Sequence, residues 1–383
     1  LAFLLLAGML AVAAMAALSQ RERPQGPAQV LGLAAAADVA GFARASGPIP
    51  LRFPADSGPH HDYQTEWWYY TGNLATADGR HFGYQFTIFR RAVLPPTERV
   101  TRASGWAAEQ IYMGHFALTD VAGGRFRAFE RFARGAAGLA GAQAEPYQVW
   151  LEDWQAAAIP GRPGVTRVQA RAGDVGIDLT LTDAKGPVLQ GDRGYSQKGP
   201  HPGNASYYYS LTRLISEGEV RVGDSTFVVT GLSWKDHEYS TSALAADQVG
   251  WDWFALHLDD GAEVKVFHLR RDDGSIDPFS AGSFVDAQGQ VTRLRRDDFQ
   301  IEALDAWRSP RTQAEYPSRW RLTIPTLGLQ LELEPWLADQ ELNVSYAYWE
   351  GAVRVSGASG GQAVTGNGYV ELTGYAGSMQ GQF

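Results

Sequence analysis

From Leu51 onward hydrophobic and polar residues alternate along the chain. In HFGYQFTIFR (81–90), Phe82, Tyr84, Phe86 and Ile88 fall on one face of an extended strand. VGIDLTLTD (175–183) does the same with Val175, Ile177, Leu179 and Leu181, and GLQLELE (328–334) with Leu329, Leu331 and Leu333. IYMGHFALTD (111–120) alternates less cleanly; VKVFHLR (264–270) and RWRLTIP (319–325) continue the pattern. ADGR (77–80), DDGAE (259–263) and RDDGS (271–275) supply turn residues at hairpin spacing. No long amphipathic helical pattern interrupts these runs, so the expectation is an all-β protein of two antiparallel β-barrel domains. The Gly/Pro-rich stretch GDRGYSQKGPHPGNAS (191–206) has no strand pattern and marks the expected boundary, giving domains at 51–200 and 201–383.

The chain before Leu51 is different. Residues 1–19 are apolar through Leu18, with Ala14-Met15-Ala16 as a small-x-small cleavage pattern and Arg21 and Arg23 behind them. This reads as a signal peptide or a membrane anchor, and hence a periplasmic or secreted protein. Residues 20–50, rich in Ala, Gly and Pro, read as a linker with one short helix near Ala34–Ala45.

Composition sharpens this picture. The 383 residues carry a net charge of −9, which gives no support for nucleic acid as a partner, since that would call for a basic face. The 12 Trp and 16 Tyr suit strands and cavities, and the 43 Gly suit turns and bulges. There is no Cys, so disulfides, thiolate chemistry and Cys-ligated metals are excluded. No P-loop, dinucleotide fingerprint or HExxH is present. GASGG (357–361) has the form of a nucleophile elbow around Ser359 but sits between strands, without the following helix that motif requires.

Three clusters carry candidate chemistry. In HHDYQTEWWYYTGNL (60–74), Glu66, Trp68 and Tyr70 share one strand face, and Trp67 and Tyr69 the other. Four consecutive aromatics require both faces to be covered, by a core or by a ligand. In GLSWKDHEYSTSALAADQVGWDWFALHLDDG (231–261), Trp234, Asp236 and Glu238 point one way, and His237 and Tyr239 the other. Asp252 shares a face with Phe254, Leu256 and Leu258, where burial would raise its pKa and suit it to acid catalysis. The bland alternative is an Asp252 that caps a turn or pairs with an Arg. A metal reading on His237, His257, His268, Asp236 and Glu238 finds no compact ligand spacing, except that His257 and His268 could oppose each other across a hairpin at Gly261. In NASYYYSLTRL (204–214), Tyr208 and Ser210 share a face opposite Tyr207, Tyr209 and Arg213; Trp349, Glu350 and Glu371 lie near the end of the chain.

Together EWWYYTGNL, YYYSLTRL, GLSWKDHEYS, GWDWFALHLDDG and GYVELTGY resemble the AttH/CrtC-like family of lipocalin-like proteins, which includes the carotenoid 1,2-hydratases. The resemblance runs in order from about Leu51 to the C-terminus and implies two lipocalin-like barrels packed together. It implies a cofactor-free, metal-free acid catalyst that hydrates or isomerises an alkene. His237, Tyr239 and Asp252 map to its catalytic set, although Tyr239 stands where the hydratases carry Trp, and STSALAADQVG looks like the AttH branch. Glu66, Trp67, Trp68, Tyr69, Tyr208, Trp234, Asp236, Glu238, Trp251 and Trp253 are the expected binding residues for a large hydrophobic molecule or lipid. The alternative is a non-catalytic carrier or an accessory protein of a membrane transport complex.

Overall fold

The structure, a computed structural model, describes residues 40–99, 104–241 and 244–380. The apolar N-terminal run and most of the helix expected near Ala34–Ala45 lie outside the described residues; from residue 40 to 50 the chain is turn and coil. Helix elsewhere among the described residues is confined to single 3-10 turns, and the rest is antiparallel strand.

Two sheets account for the strands. The first runs Arg125–Arg134, Gln110–Asp120, His81–Ala92, Thr65–Ala75, Ser225–Ser240, Ala205–Val222, Val175–Asp183, Val165–Ala172, Trp154–Ala158, Gln148–Leu151 and Ala140–Gln143. Pro187–Leu189 and Tyr195–Gln197 also pair with Ala205–Val222. This sheet curls until its last hairpins fold back over its first strands, where Trp154 meets Phe116 edge-on at 5.8 Å and the Tyr147 and Tyr70 hydroxyls bond at 2.8 Å. The second sheet runs Val291–Arg295, Ala281–Val285, Glu263–Arg271, Gln248–Leu258, Gln362–Leu372, Ala347–Ser359, Leu329–Pro335, Glu315–Ile324 and Gln300–Arg308. Each curled sheet encloses its own apolar core, as the alternation predicts.

The expected boundary near residue 200 does not coincide with the change of sheet. Tyr195–Gln197, Ala205–Val222 and Ser225–Ser240 all belong to the first sheet, and the chain crosses to the second between Ser240 and Gln248. The Gly and Pro residues of 191–206 serve turns within the first sheet that lead into an 18-residue strand. A register shift between Leu211 and Leu214 breaks the alternation there. Arg213, expected on the face of Tyr207 and Tyr209, consequently reaches Glu263 of the second sheet.

The two barrels meet along a seam with its own apolar cluster, built on Tyr69, Trp234, Trp253, Ala255, Phe267, Leu269, Ala352 and Tyr369. Hydrogen bonds cross it: Tyr69 to Glu350 at 2.5 Å, Asn73 to the Gly368 carbonyl at 2.9 Å and Thr119 to Gln340 at 2.7 Å. The approach is tight at Gly83, where a Cβ would lie 2.5 Å from the Ala352 Cβ. Gly83→Ala is therefore expected to cost about 1–3 kcal/mol through overpacking, read as a lower urea midpoint. Adding Ala352→Gly should restore part of that loss, a coupling that independent sites would not show.

Candidate functional site

Parity along the seam strands decides what each side chain meets. Trp68, Tyr70 and Leu74 enter the first core, while Trp67 and Tyr69 pack into the seam. The seam holds a cavity of about 100 Å³ lined by Trp67, Tyr69, Phe89, Tyr208, Leu244, Trp251, Trp253, Phe267 and Leu269 with Lys198, Asp236, Glu238 and Glu371. Its rings interlock: Trp253 stands edge-on to Tyr69 at 5.2 Å and to Trp234 at 6.4 Å, and its Nε1 donates to the Tyr208 hydroxyl at 3.2 Å.

The polar groups fall on two walls. On the first sheet, Asp236 accepts from Tyr208 at 2.5 Å, Ser210 at 2.5 Å and Trp234 Nε1 at 2.7 Å. Glu238 accepts from Ser206 at 2.5 Å and pairs with Lys198 at 3.1 Å. Burial raises the Asp236 carboxyl, against the pull of Lys265 and its three donors. Lys265 reaches this wall from the second sheet; burial brings it down to about 7, helped by the Lys198 charge, and its ammonium sits 4.3 Å from the Tyr208 and Phe267 ring centres. On the second sheet, Glu371 accepts from Trp251 Nε1 at 2.8 Å, and burial with the charges of Asp236 and Glu238 pushes its carboxyl up to about 7.

His237 and Tyr239 are not in this cavity. They point into the end of the first barrel, as their opposite parity to Asp236 and Glu238 requires. There Glu66 Oε1 lies 2.8 Å from both His237 Nε2 and His60 Nδ1, and Oε2 lies 2.8 Å from Arg90 Nε. Asp56 holds His60 Nε2 at 3.0 Å, Tyr239 stacks on the His60 ring at 3.5 Å, and Trp68 stacks on His237 at 5.0 Å. Burial alone would raise Glu66, but Arg90 and the two imidazoles hold it well below the usual carboxylate range. Burial works against protonated His60, but Asp56 and Glu66 outweigh it and raise its pKa. Burial pulls His237 down to about 4, so it is a neutral ring donating to an ionised Glu66.

Asp252 faces the core of the second barrel, where Arg270 Nε donates to it at 2.9 Å and Tyr375 at 3.2 Å. Burial raises its carboxyl, against Arg270 and Tyr375. It thus follows the bland alternative of an Arg-paired carboxylate, and the expected pairing of Asp252 with His237 is corrected: the two lie in different barrels, on opposite sides of the seam. Nor do His257 and His268 face each other across a hairpin, since His257 pairs in register with Glu263 and His268 with Asp252. The closest potential ligand set among the described residues is instead His60, Glu66 and His237, whose donor atoms lie within 4.8 Å of one another. Each of those atoms already has a hydrogen bond, and Arg90 takes the second Glu66 oxygen, so charge and donors balance without a metal.

A second hollow of about 520 Å³ lies at the other end of the seam, near Asn73, His81, Trp336, Arg354 and Asn367. Its polar groups are committed to one another: His81 to Asn73, Trp336 to Asn367, Arg354 to Glu334. The aromatic cavity with its part-exposed carboxyl is the better candidate.

The fold recurs in known proteins. A family model described as AttH-like matches residues 44–375. The chain belongs to that family. The crystal structure of a candidate AttH protein, NE1406, from Nitrosomonas europaea is similar over 87% of this chain and 100% of its own, with 35% identity and a TM-score of 0.77. Kievitone hydratase from Nectria haematococca shares 15% identity over 88% of this chain and 97% of its own, at a TM-score of 0.64. CghA, in complex with Sch210972, shares 12% over 89% of this chain and 98% of its own, at 0.53. At these identities the last two speak for the fold alone. No curated protein matches the chain.

Among the binding residues expected from the sequence of this AttH-like chain, Trp67, Tyr69, Tyr208, Asp236, Glu238, Trp251 and Trp253 line the cavity. Trp234 supports it from behind through Asp236, whereas Glu66 and Trp68 belong to the first barrel's interior. Sequence reading missed Phe89, Lys198, Leu244, Phe267 and Leu269 as cavity residues and gave Glu371 no role. One signal was present: in VKVFHLR (264–270), Lys265 shares a strand face with Phe267 and Leu269, a cation on an apolar stripe.

The His237 cluster predicts a pH dependence of stability. A histidine whose folded pKa lies below its unfolded value of about 6.5 stabilises fully above that value and loses the contribution as pH falls toward about 4. For His237 this amounts to on the order of 3 kcal/mol. Urea midpoints measured between pH 7 and pH 4 should fall, and His237→Gln should flatten that slope. An unchanged slope would show that His237 titrates normally.

Proposed function

We propose that this AttH-like protein is a cofactor-free hydratase or isomerase acting on a carbon–carbon double bond at the end of a large hydrophobic molecule. The observation that carries this reading is the seam cavity, which sets carboxyl groups among tryptophan and tyrosine faces. Acid catalysis on an alkene needs a carboxylic acid in apolar surroundings to deliver a proton, and a lining that tolerates the resulting cation. The faces of Trp67, Trp251, Trp253 and Tyr69 can supply that lining through cation–π attraction. The motif resemblance to the carotenoid 1,2-hydratases supports the same reaction class. The apolar N-terminal run extends the proposal to an exported protein.

Cavity size refines the substrate. An engineered cavity of about 150 Å³ accepts benzene, whereas cavities that enclose whole drug-sized ligands run from about 300 Å³ upward. A space of about 100 Å³ therefore accepts the reacting end of a polyene, with the remainder of the chain outside.

The test is incubation of the purified protein with an acyclic carotenoid in oxygen-labelled water, followed by mass analysis. Labelled alcohol at the chain terminus, or a shifted double bond, is the expected result. Trp253→Ala should weaken carotenoid binding about tenfold or more. Asp252→Asn should retain turnover, because Asp252 lies outside the cavity. Binding without turnover on any terminally unsaturated polyene would replace the enzyme with a carrier.

A further inference from the structure

We propose that Glu371 is the proton donor of the seam cavity and that Glu350, its neighbour across the ladder, is a positioning residue that shares the proton with it. The substrate part of this proposal rests on the function proposed above; the shared proton does not.

The geometry singles out Glu371. In the antiparallel ladders of the second sheet it stands opposite Glu350 on one side and Trp253 on the other. Directly opposite residues bring their Cβ atoms to about 4.5–5.5 Å, so two carboxyl groups are held together on the seam face. Glu371 opens onto the cavity, and Glu350 lies fully buried behind it. The other cavity carboxyls are committed: Asp236 accepts from three side chains, and Glu238 from Ser206 and Lys198. Among the described residues Glu371 accepts from one side-chain donor, Trp251, and neither Glu371 nor Glu350 has a cation partner. Glu350 accepts from Tyr69 on one oxygen, and its other oxygen, Oε2, is buried without a hydrogen bond. An ionised carboxylate so placed would leave costly charge uncompensated, whereas a protonated one is at ease there.

Burial and like charge outweigh the Tyr69 and Tyr348 hydroxyls, which pull Glu350 down, and Trp251 Nε1, which pulls Glu371 down. Tyr69, Tyr346 and Tyr348 surround Glu350, and Asp236 and Glu238 stand across the cavity. Two lysines stand near the cavity: Lys198, on the far wall, pairs with Glu238, and Lys265, on the second sheet two strands from Glu371, lies against the Tyr208 and Phe267 rings. Burial first, and then like charge, raise both carboxyls. The two titrate as a pair that does not lose both protons near neutrality.

The step balances simply. The Glu371 O–H bond breaks as a C–H bond forms at the inner carbon of the terminal alkene, leaving the cation on its outer carbon between the tryptophan faces. Water adds, forming the C–O bond, and its second proton returns to the carboxylate pair. Where water is held off, the pair removes a proton from the adjacent carbon instead, and the double bond shifts.

Infrared titration of the full chain tests the pair without any substrate. A wild-type minus Glu350→Gln/Glu371→Gln difference spectrum should show a carboxylic-acid carbonyl band at pH 7. A difference spectrum showing only ionised carboxylate at that pH overturns the shared proton. With an acyclic carotenoid as probe, Glu371→Gln should lower kcat by about 100-fold or more while leaving the carotenoid Kd within about twofold. Turnover surviving in Glu371→Gln removes it as donor. Glu350→Gln should move the alkaline limb of the kcat–pH profile down by about one unit, because the reserve proton is gone. A merely structural Glu350 would lower the rate without moving that limb, which would overturn its assigned role. If the wild type converts no polyene, the proposed function fails, and the infrared result still decides the pair.

Discussion

The molecule depends on strands that are buried on both faces. Thr65–Ala75 pairs along its full length with residues 230–240 of the strand Ser225–Ser240, with one face closing the first barrel and the other forming the floor of the seam. Strand side chains alternate with a period of two, so each residue in EWWYY and WKDHEY has a fixed destination. A slip of one position would drive Glu66 and His237 into the seam and Asp236 and Glu238 into the first core. The dense hydrogen bonding on each side, to Arg90 and His60 in one compartment and to Tyr208 and Ser210 in the other, therefore holds the register as well as satisfying the charges.

Several buried carboxylates among the described residues are compensated by cations. Glu66 meets Arg90 and two imidazoles; Asp252 meets Arg270; Glu263 meets Lys185 and Arg213 between the sheets. Such closed networks keep a core specific and leave little for chemistry. The Glu350 and Glu371 carboxyls have no such cation, and they lie where a cavity gives one of the two a surface to act on. An uncompensated group beside an aromatic hollow is a more informative sign of function than a compensated group deep in a core.

The fold was legible because alternation survives in most strands, and parity alone sorted Trp67, Tyr69, Asp236 and Glu238 from Trp68 and His237 correctly. Long-range partnership was not legible. His237 and Asp252 lie fifteen positions apart, but the chain changes sheet between them, so nearness along the sequence misled. The Arg270 that occupies Asp252 comes from the neighbouring strand, in a register no local pattern announces. Arg213 was misplaced by a bulge, which interrupts the very period on which the reading rests. Lys198, Leu244 and Phe89 reach the cavity from a loop or from strands distant in sequence, and only the closed sheet brings them together.

A site at the seam has a physical advantage over one inside either barrel. Each barrel interior is filled with side chains, so opening it would cost cavity energy throughout a packed core. The seam needs only two curved surfaces that fail to touch over a short length. Curvature thus leaves a hollow at no expense to either core, and the walls come from different sheets. Lys198, Asp236 and Glu238 stand on one wall and Glu371 on the other. A substrate end inserted between them meets a committed, charged wall that can orient it and an uncompensated acid that can react with it. The division of labour follows from the same two-faced strands that build the fold.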